Sequence, residues 1–230
     1  MKTSIIIPHW NTLNYLKDCI ESIVKNTEDY EIIVVDNGST EEGVKEFIEQ
    51  FADKHIFNEK NMGFSKANNQ GAKIAEGEYL CFLNSDTIVG KDWLVNLHKT
   101  LNIKNCGASG PLGNPKSGCI DGRTITYSQY VGQYNKDTMV GVLIGFCILM
   151  KNDLFNDIGC WDEDFLIGNF EDNYLCYRIN QKGYDLWISA KSDVKHLKPG
   201  RTFESNKINW LETLKHNHEL INKKMRDTKT

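Results

Sequence analysis

Apolar and polar residues fall along this chain in blocks, and the blocks differ in period. Ser4-Ile5-Ile6-Ile7, Glu31 to Asp36 (EIIVVD) and Tyr79 to Leu83 (YLCFL) are short, nearly unbroken apolar runs. Runs of that length without alternation predict strands buried on both faces, as in a parallel sheet covered by helices. Between them the period turns helical. The stretch 15–26 carries apolar residues at 16, 19, 20, 23 and 24, and similar stripes predict helices over 42–51, 65–75 and 91–101. Short strands are expected at 55–57 and 106–109. Strand-helix alternation with short connections predicts an α/β fold: a mostly parallel, doubly wound sheet with helices on both faces.

After Gly110 the rhythm changes. Residues 111–137 are rich in Gly, Ser, Asn and Tyr, and only 124–127 look strand-like. Further on, the pattern predicts a strand over 141–150, a helix over 171–182 stopped by Gly183, strands at 184–188 and 194–197, and a long polar helix over 203–226. The expected organisation is an α/β half over 1–110, a second half of the same domain over 111–200, and a helical extension over 201–230.

Right-handed crossovers put the carboxyl ends of parallel strands on one edge, and ligands of open α/β sheets bind there. Pro8 to Asn11, Asp36 to Ser39 and Asn84 to Asp86 should therefore converge on one cleft. Asn84-Ser85-Asp86 is a hard oxygen set suited to Mg²⁺ or Mn²⁺ carrying substrate phosphates, although the same residue types also make ordinary turns. The chain has no GxGxxG and no GxxxxGK[ST], which weighs against a dinucleotide fold or a P-loop NTPase.

Composition narrows the class. With 230 residues, 40% hydrophobic, and a formal net charge of -4, the chain can bury a sizeable core and lacks the basic footprint of a nucleic-acid binder. Its seven cysteines are scattered and include no CxxC pair, which points to a reducing compartment. Met1-Lys2-Thr3 leads directly into a strand-like run, and the longest apolar stretch, 139–150, falls short of the roughly 20 residues that span a bilayer. The expectation is a cytoplasmic protein without a signal peptide.

Four motifs, taken in order, resemble the inverting family-two glycosyltransferases of the GT-A fold. They are SIIIPHWN at 4–11, VVDNGST at 34–40, NMGFSKANNQG at 61–71 with LNSDT at 83–87, and Glu171-Asp172 followed by His196. The resemblance covers about residues 3–200. It implies a nucleotide-sugar donor, UDP- or dTDP-linked, and a glycan or lipid-linked glycan acceptor, such as a growing bacterial surface polysaccharide.

By that resemblance Pro8, Trp10 and Asn11 with Asp36 and Asn37 hold the nucleoside, Trp10 stacking on the base. Asn61, Gly63 and Asn68 line the sugar and ribose side. Asp86 stands at the last position of the family's DxD and, with His196, is the expected ligand pair for Mg²⁺ or Mn²⁺. Asn84 departs from the first Asp of that motif and is expected either as a weaker, neutral metal ligand or as a contact to the donor sugar, with Ser85 also at the donor. Asp172 is the expected base and Glu171 its acidic partner, at a helix start where acids also serve as plain caps. Asp162, Glu163 and Asp164 are the fallback carboxylates. Arg178, Lys198 and Arg201 are candidates for a phosphate. Lys215, Lys223, Lys224 and Arg226 suggest peripheral contact with the inner membrane surface. The rival readings are a sugar-phosphate nucleotidyltransferase and a catalytically silent sugar- or nucleotide-binding relative.

Overall fold

The computed structural model describes residues 2–112, 135–165, 167–197 and 210–227. The first half builds as the apolar runs dictate. Strands β1 (Thr3–His9), β2 (Tyr30–Asp36), β3 (Lys54–Phe57) and β4 (Tyr79–Leu83) are parallel, crossed by helices α1 (Leu13–Asn26), α2 (Val44–Phe51) and α3 (Phe64–Ile74). Then follow β5 (Thr87–Val89), α4 (Trp93–Leu101), β6 (Cys106–Pro111), β7 (Thr138–Val140), β8 (Cys147–Lys151), α5 (Asn152–Asp157), α6 (Glu171–Gln181), β9 (Asp185–Ser189), β10 (Val194–His196) and α7 (Trp210–Asp227).

The main sheet has eight strands in the order β3-β2-β1-β4-β8-β6-β9-β7, and β10 pairs with β5 in a separate two-stranded ribbon. The sheet is mixed. β8 inserts antiparallel between β4 and β6, while β6 and β9 are parallel and β7 lies antiparallel at the edge. Alternate residues of the central strands face opposite layers. Ile5, Ile7, Ile32, Val34, Cys81 and Leu83 pack toward α1, α2 and α4. Ile6, Ile33, Leu80 and Phe82 pack with α5 and α6 on the other face. Gly71 lets α3 sit directly on β1, since a Cβ there would lie 2.5 Å from Ile6 Cγ2.

One expectation needs correction. The strand expected over 141–150 begins only at Cys147, because the preceding backbone turns to α6 instead: Leu143 N–H meets the Cys176 sulfur and Gly145 N–H the Asp172 carboxylate. β5, β7 and α5 are too short to show a period in the sequence. The expected strand at 124–127 and the first turns of the helix expected from 203 lie outside the described residues. Among the described residues, no helix is long and apolar enough to cross a membrane.

At the amino edge of the sheet, the buried Glu31 carboxylate ties β1, β2 and the turn before β4 together. It accepts from the Ser4 hydroxyl at 2.5 Å and Glu76 N–H at 2.7 Å, and pairs with Lys54 at 3.1 Å. Burial alone would raise its pKa, but those donors and the lysine outweigh it and hold it down to about 2. The folded pKa lies below the unfolded one, so this contribution is full above about pH 4.5 and is lost as pH falls toward 2. Glu31→Gln is expected to cost about 2 kcal/mol at pH 7 and to flatten the acid limb, as read by denaturant titrations at pH 7 and pH 3.

Candidate active site

The strand ends converge as their parallel register requires. His9, the last residue of β1, lies opposite Asp36, the last of β2. Just beyond, the two loops are laced together. Asn11 N–H donates to the Ser39 hydroxyl at 2.8 Å, Thr40 N–H donates to Asn11 Oδ1 at 2.9 Å, and Asn37 N–H donates to the His9 carbonyl at 2.7 Å. The Glu41 carboxylate caps α1 by accepting from the N–H groups of Thr12 and Leu13. Gly38, at φ +77°, lets the 58–63 loop close over this edge, since a Cβ would meet Lys60 Cα at 2.7 Å.

This lacing decides what several expected lining residues do. Asp36 and Asn37 are each 4% exposed. The Asp36 carboxylate is taken up by the Ser39 N–H and hydroxyl. The Asn37 amide accepts from Asn58 and Met62 N–H and donates to the Gly63 carbonyl. Both therefore shape the cleft wall through the loops they hold. Asn61 accepts from Gly63 N–H, and Gly63, at φ +88°, has nothing within 4 Å of where a Cβ would sit. Pro8, Trp10 and Asn11 remain partly exposed at the edge. Asn68 does not reach it: the residue is fully buried in α3, where its Nδ2 donates to the Phe64 carbonyl.

Asp86 meets His196 through the small ribbon. β10 runs antiparallel to β5 with His196 opposite Thr87, and Leu197 N–H donates to the Asp86 carbonyl. The register brings His196 Nε2 to 3.0 Å from Asp86 Oδ1 and 3.4 Å from Asn84 Nδ2. The Phe146 ring stacks on the imidazole at 5.0 Å. A carboxylate oxygen and an imidazole nitrogen, both partly shielded and adjoining an amide, are donor types that could contribute to holding Mn²⁺ or Mg²⁺. Among the described residues, no group of three or more His, Cys, Asp or Glu side chains gathers to hold a metal unaided. Ser85 is half-buried beside this pair.

The acid pair opens α6. Asp172 accepts from Gly145 N–H at 3.0 Å and Asn173 N–H at 2.8 Å. Burial raises its pKa, and those N–H groups oppose the rise. Glu171 is 8% exposed with one carboxylate oxygen unpartnered among the described residues, and burial together with the neighbouring Asp172 lifts its pKa well above the usual range. Gly145 and Phe146 join the two centres. While Gly145 holds Asp172, the Phe146 carbonyl accepts Asn84 N–H and its ring covers His196.

The model of the family described as glycosyl transferase family 2 matches residues 4–159. The chain belongs to that family. The matched span takes in the strand-end loops and Asp86 and stops short of Glu171, Asp172 and His196. A poly(ribitol-phosphate) beta-glucosyltransferase of Bacillus spizizenii is 38% identical over 139 residues, 56% of this chain and 21% of the relative. Among solved structures, GalNAc-T7 with UDP, GalNAc and Mn²⁺ superposes with a TM-score of 0.72 at 20% identity, covering 86% of this chain and 44% of that one. The mannosyltransferase PcManGT from Pyrobaculum calidifontis, with GDP-Man and Mn²⁺, gives 0.69 at 17%, covering 88% and 59%. These likenesses establish the GT-A fold. The chain spans only 15% and 36% of the length of two Streptococcus pneumoniae relatives, the glycosyltransferases GlyA and GlyG.

The fallback carboxylates of this family 2 chain are committed elsewhere. Asp162 and Asp164 pair with Lys224 at 2.9 and 2.6 Å, and Glu163 accepts from Asn69. The Arg178 guanidinium donates to the carbonyls of Ile158, Gly159 and Cys160. Lys198 and Arg201 lie outside the described residues.

One residue passed over in the sequence is His9. It is 1% exposed, neither ring nitrogen has a partner among the described residues, and it shares the strand ends with Asp36. Its position as the last residue of a buried run is the only sequence signal. Burial pulls its pKa down to about 4 against the attraction of Asp36 and Glu41. The unfolded chain therefore takes up the proton first, and stability falls as pH drops from about 6.5 toward 4. Across that window the loss is on the order of 3 kcal/mol, and His9→Leu should abolish it in denaturant titrations at pH 7.5 and 5.

Proposed function

We propose that this protein transfers a sugar from a UDP- or dTDP-sugar to a hydroxyl of a glycan acceptor, with inversion at the anomeric carbon. The observation that carries this reading is the junction at Gly145-Phe146, which puts a backbone-held carboxylate beside an Asp-His pair at the carboxyl edge of the sheet. Transfer needs a base for the acceptor hydroxyl and charge stabilisation for the departing nucleoside diphosphate. Asp172, with its raised pKa and one face fixed by Gly145 N–H, takes the acceptor proton. Burial keeps that proton affinity high against the pull of the N–H groups that the carboxylate accepts from. Asp86 and His196 would hold a divalent cation, which would supply charge stabilisation for the departing diphosphate. One base and one displacement need no enzyme nucleophile, so the anomeric configuration inverts.

The solved neighbours were crystallised with UDP or GDP-Man and with Mn²⁺, which favours a nucleotide-sugar donor and a divalent metal here. The bacillary relative, named for glucosylation of poly(ribitol phosphate), favours a bacterial surface glycan as acceptor. Action on the cytoplasmic side, with the exposed Lys215, Lys223 and Arg226 of α7 facing an anionic bilayer, is part of the same proposal.

Calorimetry with UDP and dTDP, with and without Mn²⁺, tests the donor half. Binding of one of them should require the metal and be lost in Asp86→Ala. Asp172→Asn should keep that affinity within about twofold while hydrolysis of UDP-glucose, UDP-N-acetylglucosamine or dTDP-glucose falls roughly 10²- to 10⁴-fold. No binding of either nucleotide with metal present would favour a silent relative, for which Asn84 in place of an acid is the supporting residue.

A further inference from the structure

The C-terminal helix grips the segment that leads into the acid pair. Thr213, Asn217, Ile221 and Lys224 lie along one stripe of α7, spaced as residues on a single helical face. At one end of the stripe, Lys224 pairs with Asp162 and Asp164 and lies over the Tyr174 ring at 5.7 Å. Toward the other end, Asn217 is fully buried, and its Nδ2 donates to the carbonyls of Gly168 at 2.9 Å and Asn169 at 3.0 Å. A single amide NH₂ thus spends both its protons on two consecutive carbonyls.

Those carbonyls precede an unusual turn. Asn169 and Phe170 are successive non-glycine residues at φ +79° and +70°, and Glu171 and Asp172 follow immediately as the first residues of α6. Two adjacent L-residues in the left-handed region persist only where surrounding contacts over-determine them. Here the contacts come from α7: Asn217 on the carbonyls, and His218, whose ring lies 5.5 Å from that of Phe170. If the turn relaxes, the start of α6 rotates, and Asp172 moves away from Gly145 N–H.

We propose that Asn217 is a positioning residue for the reaction: by holding the left-handed turn at Asn169-Phe170, it sets where the Asp172 carboxylate meets Gly145. The inference rests on the reading of Asp172 as base. The effect of Asn217 passes through the backbone of 168–171, and the donor cleft, built from β1, β2 and β4, lies outside its reach.

The test reads Asp172 through its hydrogen-bond donor. The Gly145 amide resonance titrates with the carboxylate it serves. The titratable groups facing Asp172 among the described residues are Glu171 beside it and the Cys176 thiol one turn on; Gly145 and, from α3, Phe64 carry none. In Asn217→Leu the Gly145 midpoint should rise by roughly one pH unit as the N–H bond to the charged form weakens. UDP binding with Mn²⁺ should stay within twofold of wild type. If Asn217→Leu does not fold, Asn217→Ser, which keeps one donor, should show a smaller rise in the same direction. An unchanged midpoint in whichever variant folds overturns the inference, and so does a rise accompanied by lost UDP binding. Failure of the base assignment would show separately, as Asp172→Asn retaining hydrolysis of the nucleotide sugar.

Discussion

Because β1 pairs in parallel with β2 on one side and β4 on the other, three chain segments must turn at the same edge of the sheet. Everything polar in the cleft depends on that register. Ile5-Ile6-Ile7, Ile32 to Val35 and Leu80 to Leu83 are buried on both faces, so a slip of one residue would exchange their two packing layers. With the register fixed, the loops after His9 and Asp36 come close enough to trade side-chain and backbone bonds, and Asn84 to Asp86 leave the sheet beside them. The amino edge is anchored by Glu31, whose carboxylate crosses from β2 to β1 and to the turn before β4.

The second half of the fold attaches the chemistry to this platform. β8 enters antiparallel against β4, and its approach segment delivers Gly145 to Asp172 and Phe146 to His196. The β5-β10 ribbon then sets Asp86 against His196. Neither centre is assembled by one element. Each depends on chain segments brought together from far apart in sequence, which is why the acid pair and the Asp-His pair share a wall without sharing a strand.

Residues with a strong local period were legible in the sequence. The parallel strands and their helices declared themselves by apolar runs and helical stripes, and the strand-end cleft followed from topology. The membership in glycosyl transferase family 2 was carried by loop motifs, three of which lie within the matched span. What stayed hidden was decided by tertiary partners. The 141–146 stretch is as apolar as a strand, yet its Leu143 and Gly145 N–H groups go to side chains of α6. Three-residue β5 has no period to detect, although it positions His196. Asn68 sits in a motif that looks like a lining loop, but helix phase turns it into the core. His9 reads as one more position in an apolar run, and only burial without a hydrogen-bond partner among the described residues sets it apart.

The central claim is that the carboxyl edge of the sheet, through Asp86 and His196, receives the diphosphate of a nucleotide sugar together with a divalent cation. A crystal structure of the protein with UDP and Mn²⁺, read by anomalous scattering at the manganese edge, tests it most directly. The account predicts a single manganese peak in direct coordination with the Asp86 carboxylate and His196 Nε2, with both phosphates on the same ion. A peak held by Asp162 and Asp164 instead, or UDP seated away from the β1, β2 and β4 strand ends, would contradict it.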